Sequence, residues 1–230
     1  YDTYQKLTLA LNDVTPQQLT EGALSKIPGV INHIEPCEQN NKLIMPVTVS
    51  ETVTRSLYNE KPNRHQVVTI GERSEGIDQL FQTGDQMVRM LREFFTDINL
   101  FDDNISLLKQ NFLSPIASGS IAFYRFHIVD TVRVGQDRCI HLAFGPDNQR
   151  DMGFSGELYV MDDTTYQLRR AVLTMPKQSI VNHIDNIKVW QEFEALPSGE
   201  MVLASDDMMI EMSLADMFAK TVILRTTRHS

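Results

Sequence analysis

The chain has 230 residues, of which 42% are hydrophobic and 22% are charged, a composition typical of a globular protein with a sizeable core. Its net charge of −9 argues against a nucleic-acid partner, because polyphosphate binding needs a basic surface. No apolar run approaches the roughly 20 residues that a membrane-spanning helix requires. The first residue is Tyr1 rather than Met, so we expect the chain to be a piece of a longer protein.

Strand and turn signals alternate in the first third of the chain, with one early helix. Thr15 is a good N-cap and Pro16 suits the first helical position. Pro46 predicts an edge or a bulge in its strand, because proline cannot donate a ladder hydrogen bond. The predicted elements are a strand at 1–14, a helix at 15–28, a loop at 35–41, a strand at 42–57, a turn at 58–64, a strand at 66–70 that can pair with 42–57 as a hairpin, and a loop at 71–76.

The strongest helical signal runs from Ile77 to Ile98. Apolar residues recur there at the i, i+3, i+4 spacing of an amphipathic helix, and Thr83-Gly84-Asp85 can divide it into two pieces. The broad apolar stripe predicts that this helix lies across the sheet. A mixed connection follows at 99–119, with a short helical or extended piece at 105–108.

From Ile121 onward, apolar and polar residues alternate in short runs that are separated by turn signals. This period of two predicts strands with one buried face, and strands joined by short turns pair antiparallel. Gly135-Gln136-Asp137 and Pro197-Ser198-Gly199 are the clearest turns. The predicted strands are 125–134, 139–144, 157–161, 166–173, 184–196, 201–212 and 222–227.

These elements predict an α+β fold with a curved antiparallel β-sheet, an open half-barrel, and helices packed on its concave face. We expect about six strands in the second half and two or three in the first. The chain is predicted to form a single domain, 1–230, excised from a longer chain. Residues 1–119 form a helix-bearing lid and edge strands, and residues 120–230 form an antiparallel meander.

Catalytic and metal motifs do not stand above background. The six histidines show no HExxH spacing. Gly153-Phe154-Ser155-Gly156 has one residue too few for a nucleophile elbow. His127 and His141 can be neighbours across the hairpin at Gly135, which leaves open a hydrolase site that they assemble with an aspartate. We predict no catalytic residue, metal site or cofactor.

Other residues point to binding. The eleven methionines include a cluster near the C-terminus, and methionine adapts well to apolar ligands. Trp190, Tyr159 and Tyr166 leave open a carbohydrate-binding row. Cys37 and Cys139 can form one disulfide or remain as two buried thiols. The residues predicted to line an apolar ligand cavity are Leu80, Phe81, Val88, Leu91, Phe95, Met208 and Met212.

Several segments resemble a Gram-negative outer-membrane family of unknown function. They are Tyr4 to Leu9, Glu35-Pro36-Cys37, Asn41-Lys42-Leu43, Ser114-Pro115-Ile116, Phe123-Tyr124-Arg125 and Gly153 to Val160. The resemblance implies a signal peptide, a carboxypeptidase-regulatory-like β-sandwich, a middle region and an outer-membrane β-barrel. The resemblance further implies that this chain is most of the middle region, on the periplasmic side of the outer membrane, and it brings no catalytic residues.

The second half also resembles, more weakly, the half-barrel lipoprotein carriers of the LolA/LolB type. The shared pattern is Gly156 to Val160, a turn, and a strand like Tyr166 to Leu173. This resemblance implies acyl chains held between a curved sheet and its helices. We therefore expect a non-enzymatic periplasmic module that binds an apolar or acylated ligand or a partner protein, and that is tethered to an outer-membrane β-barrel.

Overall fold

A computed structural model describes residues 1–15, 17, 21, 30–59, 64–76, 97–107, 110–148, 150–175, 184–214 and 219–230. The helix predicted from Ile77 lies outside the described residues apart from its last two positions, and so does most of the helix predicted from Thr15. Within the described part, no helix is long and apolar enough to span a membrane.

The described part of the chain contains thirteen strands, and most of the described residues belong to them. A 3-10 turn at Val30–His33 and a four-residue helix at Ser120–Phe123 accompany the strands. The strands are β1 Asp2–Asn12, β2 Glu35–Pro36, β3 Leu43–Asn59, β4 Arg64–Gly76, β5 Asn104–Leu107, β6 Gln110–Leu113, β7 Tyr124–Val134, β8 Asp137–Pro146, β9 Ser155–Met161, β10 Leu168–Met175, β11 Ile184–Ala195, β12 Met201–Leu214 and β13 Ala219–His229.

Eleven of these strands are hydrogen-bonded into one mostly antiparallel sheet. The order is β2-β3-β1-β13-β12-β11-β10-β9-β8-β7, with β4 paired to β3, while β5 and β6 form a separate hairpin. Because the sheet does not close on itself, it fits the predicted open half-barrel class, and that prediction is confirmed. The expected number of strands was too low; β2, for example, lies in a segment that was predicted to be a loop.

The chain divides into two compact units. Unit 1 comprises Tyr1–Gln82, Asn182–Asp185 and Asp207–Ser230, and unit 2 comprises Thr83–Val181 and Asn186–Asp206. The core of unit 1 lies on β1, β3, β12 and β13 and includes Leu9, Met45, Met208 and Ile223. The single-domain prediction stays a prediction.

The core of unit 2 is rich in aromatic rings. Tyr124 contacts Phe144 edge to face at 5.5 Å between ring centroids, and Phe112 packs on Phe154 at 5.3 Å. The Tyr124 hydroxyl donates to the Leu113 carbonyl at 2.8 Å and accepts from the Phe154 amide at 3.3 Å. Burial raises the pKa of Tyr124 to about 12. This ring therefore links the start of β7 to the chain before β9.

Local predictions met mixed outcomes. The predicted bulge at Pro46 is confirmed, because the register between β1 and β3 shifts between Leu9 and Ala10, where Pro46 pairs with Ala10. The loop predicted at 71–76 was wrong: these residues continue β4, since backbone pairing with β3 does not depend on apolar side chains. Cys37 and Cys139 are both free, buried thiols.

Candidate functional site

One face of unit 1 carries buried polar groups where a core face would be apolar. Register places Leu7 opposite both Arg225 and Ser50, and Leu9 opposite both Ile223 and Thr48. All of these side chains are buried, and Arg225 is only 2% exposed. We call this surface the hydroxyl face; its members are Leu7, Leu9, Thr48, Ser50, Thr221, Ile223, Arg225 and Thr227.

The hydroxyls of Thr221 and Thr227 have no hydrogen-bond partner in the described structure, although both are buried. An unsatisfied buried polar group costs about 1–3 kcal/mol, and a buried guanidinium such as that of Arg225 is costly even when it is paired. Thr221, Arg225 and Thr227 lie on the same side of β13, because side chains alternate along a strand. This arrangement does not stabilise a folded core. A ligand with its own polar atoms, in contrast, can form hydrogen bonds with these hydroxyls.

Two residues of the predicted ligand cavity, Met208 and Met212, extend the hydroxyl face onto the neighbouring strand β12. On β12, Glu211 accepts a hydrogen bond from Asn12, which lies on the opposite side of β1 from Leu7 and Leu9. Alternation therefore turns Met208 and Met212 toward the hydroxyl face. Met208 is buried at 1% exposure and Met212 is half-buried.

The other predicted cavity residues are outside the described residues, so their part of the prediction stays a prediction. They are Leu80, Phe81, Val88, Leu91 and Phe95. The burial of the Thr221 and Thr227 hydroxyls could not be read from the sequence, because threonine and arginine in a strand are usually exposed to solvent.

The alternative hydrolase site requires His127, His141 and an aspartate to lie close together in unit 2. Nδ1 of His141 lies 3.0 Å from Oδ1 of Asp130, so a histidine and an aspartate do meet. His127 does not join them, since it is exposed and pairs in register with Ala143. The contact between the two histidines that the sequence left open is not found, because each histidine occupies its own rung of the β7–β8 ladder.

His141 is part of a rung that crosses five neighbouring strands. Its ring stacks on Tyr159 at 4.6 Å between centroids, and the guanidinium carbon of Arg170 lies 5.6 Å from the Tyr159 ring centroid. Arg170 then forms a salt bridge with Glu192 at 2.6 Å. The rung runs from β7 to β11 through Asp130, His141, Tyr159, Arg170 and Glu192.

A second carboxylate accompanies this rung. The Tyr159 hydroxyl donates to Oε2 of Glu157 at 2.8 Å, and Nε2 of His141 lies 3.6 Å from the same oxygen. Burial, followed by this hydrogen bond, raises the pKa of Tyr159 to about 12. The phenol therefore keeps its proton at neutral pH and offers no nucleophile, and the described contacts of His141 include no serine, threonine or cysteine. The rung is an electrostatic ladder that joins strands.

The carbohydrate-binding alternative needs aromatic rings exposed in a row. Tyr159 is covered on one side by His141, and Tyr166 lies at an exposed turn with a φ of 51°. Trp190 is half-buried and pairs in register with Val172, one rung away from Arg170. These three rings do not form a continuous platform.

The glycines in the segment from Gly153 to Val160 have structural roles in unit 2. A Cβ on Gly153 would lie 2.6 Å from Cε1 of Phe123, and a Cβ on Gly156 would lie 1.9 Å from the Val172 carbonyl oxygen. Only glycine permits such close approach. The residues that carry the family resemblance here therefore shape the sheet and its core.

The family model described as "Family of unknown function (DUF5686)" matches residues 1–228. The chain belongs to this family. No functionally curated protein matches the sequence.

Solved structures show distant likenesses. A candidate outer membrane lipoprotein-sorting protein domain from Vibrio parahaemolyticus is 9% identical, with 99% of this chain and 84% of that chain covered and a TM-score of 0.31. A LolA superfamily protein from Nitrosomonas europaea is 7% identical, with 100% and 86% covered and a TM-score of 0.26. A DUF1329 family protein from Desulfovibrio piger is 12% identical, with 100% and 85% covered and a TM-score of 0.27. At these TM-scores the likenesses bear on neither ligand nor role.

Proposed function

We propose that this DUF5686 chain is a non-enzymatic binding module that holds an apolar or acylated ligand against the hydroxyl face of unit 1. The observation that carries the proposal is the pair of buried, unsatisfied hydroxyls at Thr221 and Thr227 beside apolar side chains. An acylated molecule has an apolar chain for Leu7, Leu9 and Met208. Its ester or amide atoms would provide the partners that the threonines lack.

Because the module would bind by burial and hydrogen bonding, it would need neither a cofactor nor a metal ion. We further propose that the module acts on the periplasmic side of the outer membrane, tethered to a β-barrel of the full-length protein. Cell fractionation of the full-length protein tests this location, and recovery in the cytoplasmic fraction contradicts it.

The ligand proposal is tested by titrating the chain with a fluorescent fatty acid, cis-parinaric acid, and displacing it with palmitate. Two adjacent methionines of β12 supply a matched pair of variants. Met208 belongs to the hydroxyl face, whereas Met209 alternates to the other side, and the two are 1% and 2% exposed. Both substitutions by glutamine introduce the same polar group at similar burial.

We expect Met208→Gln to weaken fatty-acid binding by about tenfold, because an amide would meet the acyl chain at a cost of roughly 1–2 kcal/mol. Met209→Gln should lower stability without changing the affinity of the folded protein. Affinities are compared at a temperature at which circular dichroism shows both variants folded. No fluorescence enhancement with the unsubstituted chain, or equal losses in both variants, would contradict the proposal.

A further inference from the structure

A pocket of about 380 Å³ lies on the other side of the unit 1 sheet from the hydroxyl face. Its floor is formed by β1 and β13, where Lys6 pairs in register with Thr226 and Thr8 pairs with Leu224. Its wall is formed by β2 and the turn after it, including Glu35, Cys37 and Glu38. This pocket is independent of the function proposed above.

The wall is fixed to the sheet by a partly buried polar network. Glu211 on β12 accepts hydrogen bonds from Lys42 at 2.7 Å, Asn12 at 2.8 Å and Asn40 at 3.1 Å. Asn40 also donates to the Asn12 side-chain oxygen at 3.1 Å. Through this network, residues 40–42 are held against β1 and β12, and the turn that lines the pocket ends at this fixed point.

The cations of the pocket differ in how they are engaged. Arg228 is committed to Asp207 through two hydrogen bonds of 2.5 and 3.0 Å. Lys6 forms no ion pair or hydrogen bond within the described part of the chain, and the hydroxyls of Thr8 and Thr226 beside it have no partner there either. An ammonium with two adjacent hydroxyls is a set of donors for an anionic group.

The opposite wall presents two carboxylates. Glu35 and Glu38 are exposed, and among the described residues neither has an ion pair or hydrogen bond. A pocket with a free cation on its floor and free carboxylates on its wall matches a ligand that carries both charges. A ligand with an anion alone would meet repulsion from the glutamates, and one with a cation alone would meet it from Lys6.

We propose that this pocket binds a zwitterionic small molecule, with its acidic group at Lys6, Thr8 and Thr226 and its ammonium group at Glu35 and Glu38. The volume corresponds to roughly a dozen water molecules, which suits a ligand the size of a dipeptide. Two sources share this chemistry: the free ends of a short peptide and a phosphoethanolamine headgroup. The experiment separates them.

The test is isothermal titration of the chain with four probes: alanyl-alanine, its N-acetyl form, its C-terminal amide and O-phosphoethanolamine. We expect at least one zwitterion to bind, and both capped peptides to bind at least about tenfold more weakly than alanyl-alanine if the peptide is the ligand. Preference for O-phosphoethanolamine over alanyl-alanine supports a headgroup source, and the reverse preference supports a peptide source.

Variants locate the binding in the pocket. Lys6→Met and the double change Glu35→Gln with Glu38→Gln should each weaken binding of the preferred zwitterion by about tenfold or more. Lys220→Met is the matched control, because this exposed lysine of β13 pairs with Asp13 outside the pocket, and it should change affinity less than about twofold. Amide chemical shifts by NMR confirm that each variant is folded.

The proposal is overturned if neither zwitterion binds at millimolar concentration, if the capped peptides bind as well as the free one, or if Lys6→Met leaves the affinity unchanged. Fatty-acid binding distinguishes a failure of this proposal from a failure of the proposed function. Lys6→Met should leave cis-parinaric acid binding intact, and loss of both activities together would contradict two independent sites.

Discussion

The two units deal with buried polar atoms in different ways. In the described part of unit 2, the buried side-chain atoms that lack a hydrogen bond are scattered over three strands, at Gln110, His141 and Gln191. In unit 1 the described residues place two such atoms, the hydroxyls of Thr221 and Thr227, on one face of β13. Scattered exceptions are common in cores, whereas a row of them on one strand indicates a surface that is selected for something other than stability.

The units also differ in the side chains that form their cores. Unit 2 is packed by aromatic rings around Tyr124, whose hydroxyl has both a donor and an acceptor contact. Unit 1 has aliphatic side chains interleaved with threonine, serine and arginine. We infer that unit 2 is the structural part of the chain and that unit 1 is where ligands bind. The predictions below test this contrast.

The largest expected effect is at Gly156 in unit 2. A methyl group there would lie 1.9 Å from the Val172 carbonyl oxygen, at a backbone φ of 157°. Gly156→Ala should therefore separate β9 from β10 and destabilise the chain by about 3 kcal/mol or more. Urea unfolding measures the loss. Gly119→Ala is the control, since no atom lies within 4 Å of its added methyl, and similar losses in both variants would rule out the steric account.

A smaller loss is expected from Tyr124→Phe. The ring would remain packed, but the Leu113 carbonyl and the Phe154 amide would each lose the partner that the hydroxyl provides. Leaving buried groups unpaired costs about 1–3 kcal/mol. Tyr166→Phe is the matched control, because Tyr166 is 66% exposed. An unchanged melting temperature for Tyr124→Phe would contradict a structural role for this hydroxyl.

Alkaline pH tests the same residue without removing it. Burial raises the pKa of Tyr124 to about 12 from an ordinary value of 10.0, so the folded state holds this proton more tightly than the unfolded state. The resulting stability is fully present below about pH 10 and is lost as the pH rises toward about 12. Unfolding free energies measured across this range should fall less steeply in Tyr124→Phe, and identical slopes would contradict the assignment.

The smallest effect on stability is expected in unit 1. Here the direction of the change in unfolding free energy is more informative than its size. Thr227→Val removes an unsatisfied buried hydroxyl at nearly constant volume, so stability should stay level or rise by up to about 1 kcal/mol. Thr227→Ser keeps the hydroxyl and removes a methyl, so it should be destabilising. Thermal unfolding distinguishes them. A clear loss of stability in the valine variant would show that the hydroxyl is satisfied in the folded protein.

The sequence predicted the sheet well because alternation and turn residues are local signals. The strands from Tyr124 to Ala195 and the turn at Gly135 follow the predicted pattern closely. The contact between His141 and Asp130 was out of reach, because it depends on a bulge between Ile128 and Asp130 that shifts the register by one residue. A uniform ladder would have placed Val129 opposite His141.

The hydroxyl face was missed for a related reason. Thr221, Arg225 and Thr227 are residue types that usually face solvent in a strand, and only the folded structure shows that they are buried. The pocket at Lys6 was equally invisible, since it joins β1 and β13 to a turn about 30 residues from Lys6 in the chain. Composition and hydrophobic periodicity describe one strand at a time. Both of these sites depend instead on which strands and turns lie next to one another in the folded chain.

The most direct measurement is on the double variant Thr221→Val with Thr227→Val, followed for unfolding free energy and for cis-parinaric acid affinity in the same preparation. The account predicts a chain at least as stable as the original that binds the fatty acid about tenfold more weakly, because the ligand loses its two hydrogen-bonding partners. Thr131→Val, an exposed threonine of β7, should change neither quantity. A double variant that is less stable yet binds the fatty acid with unchanged affinity would contradict the account.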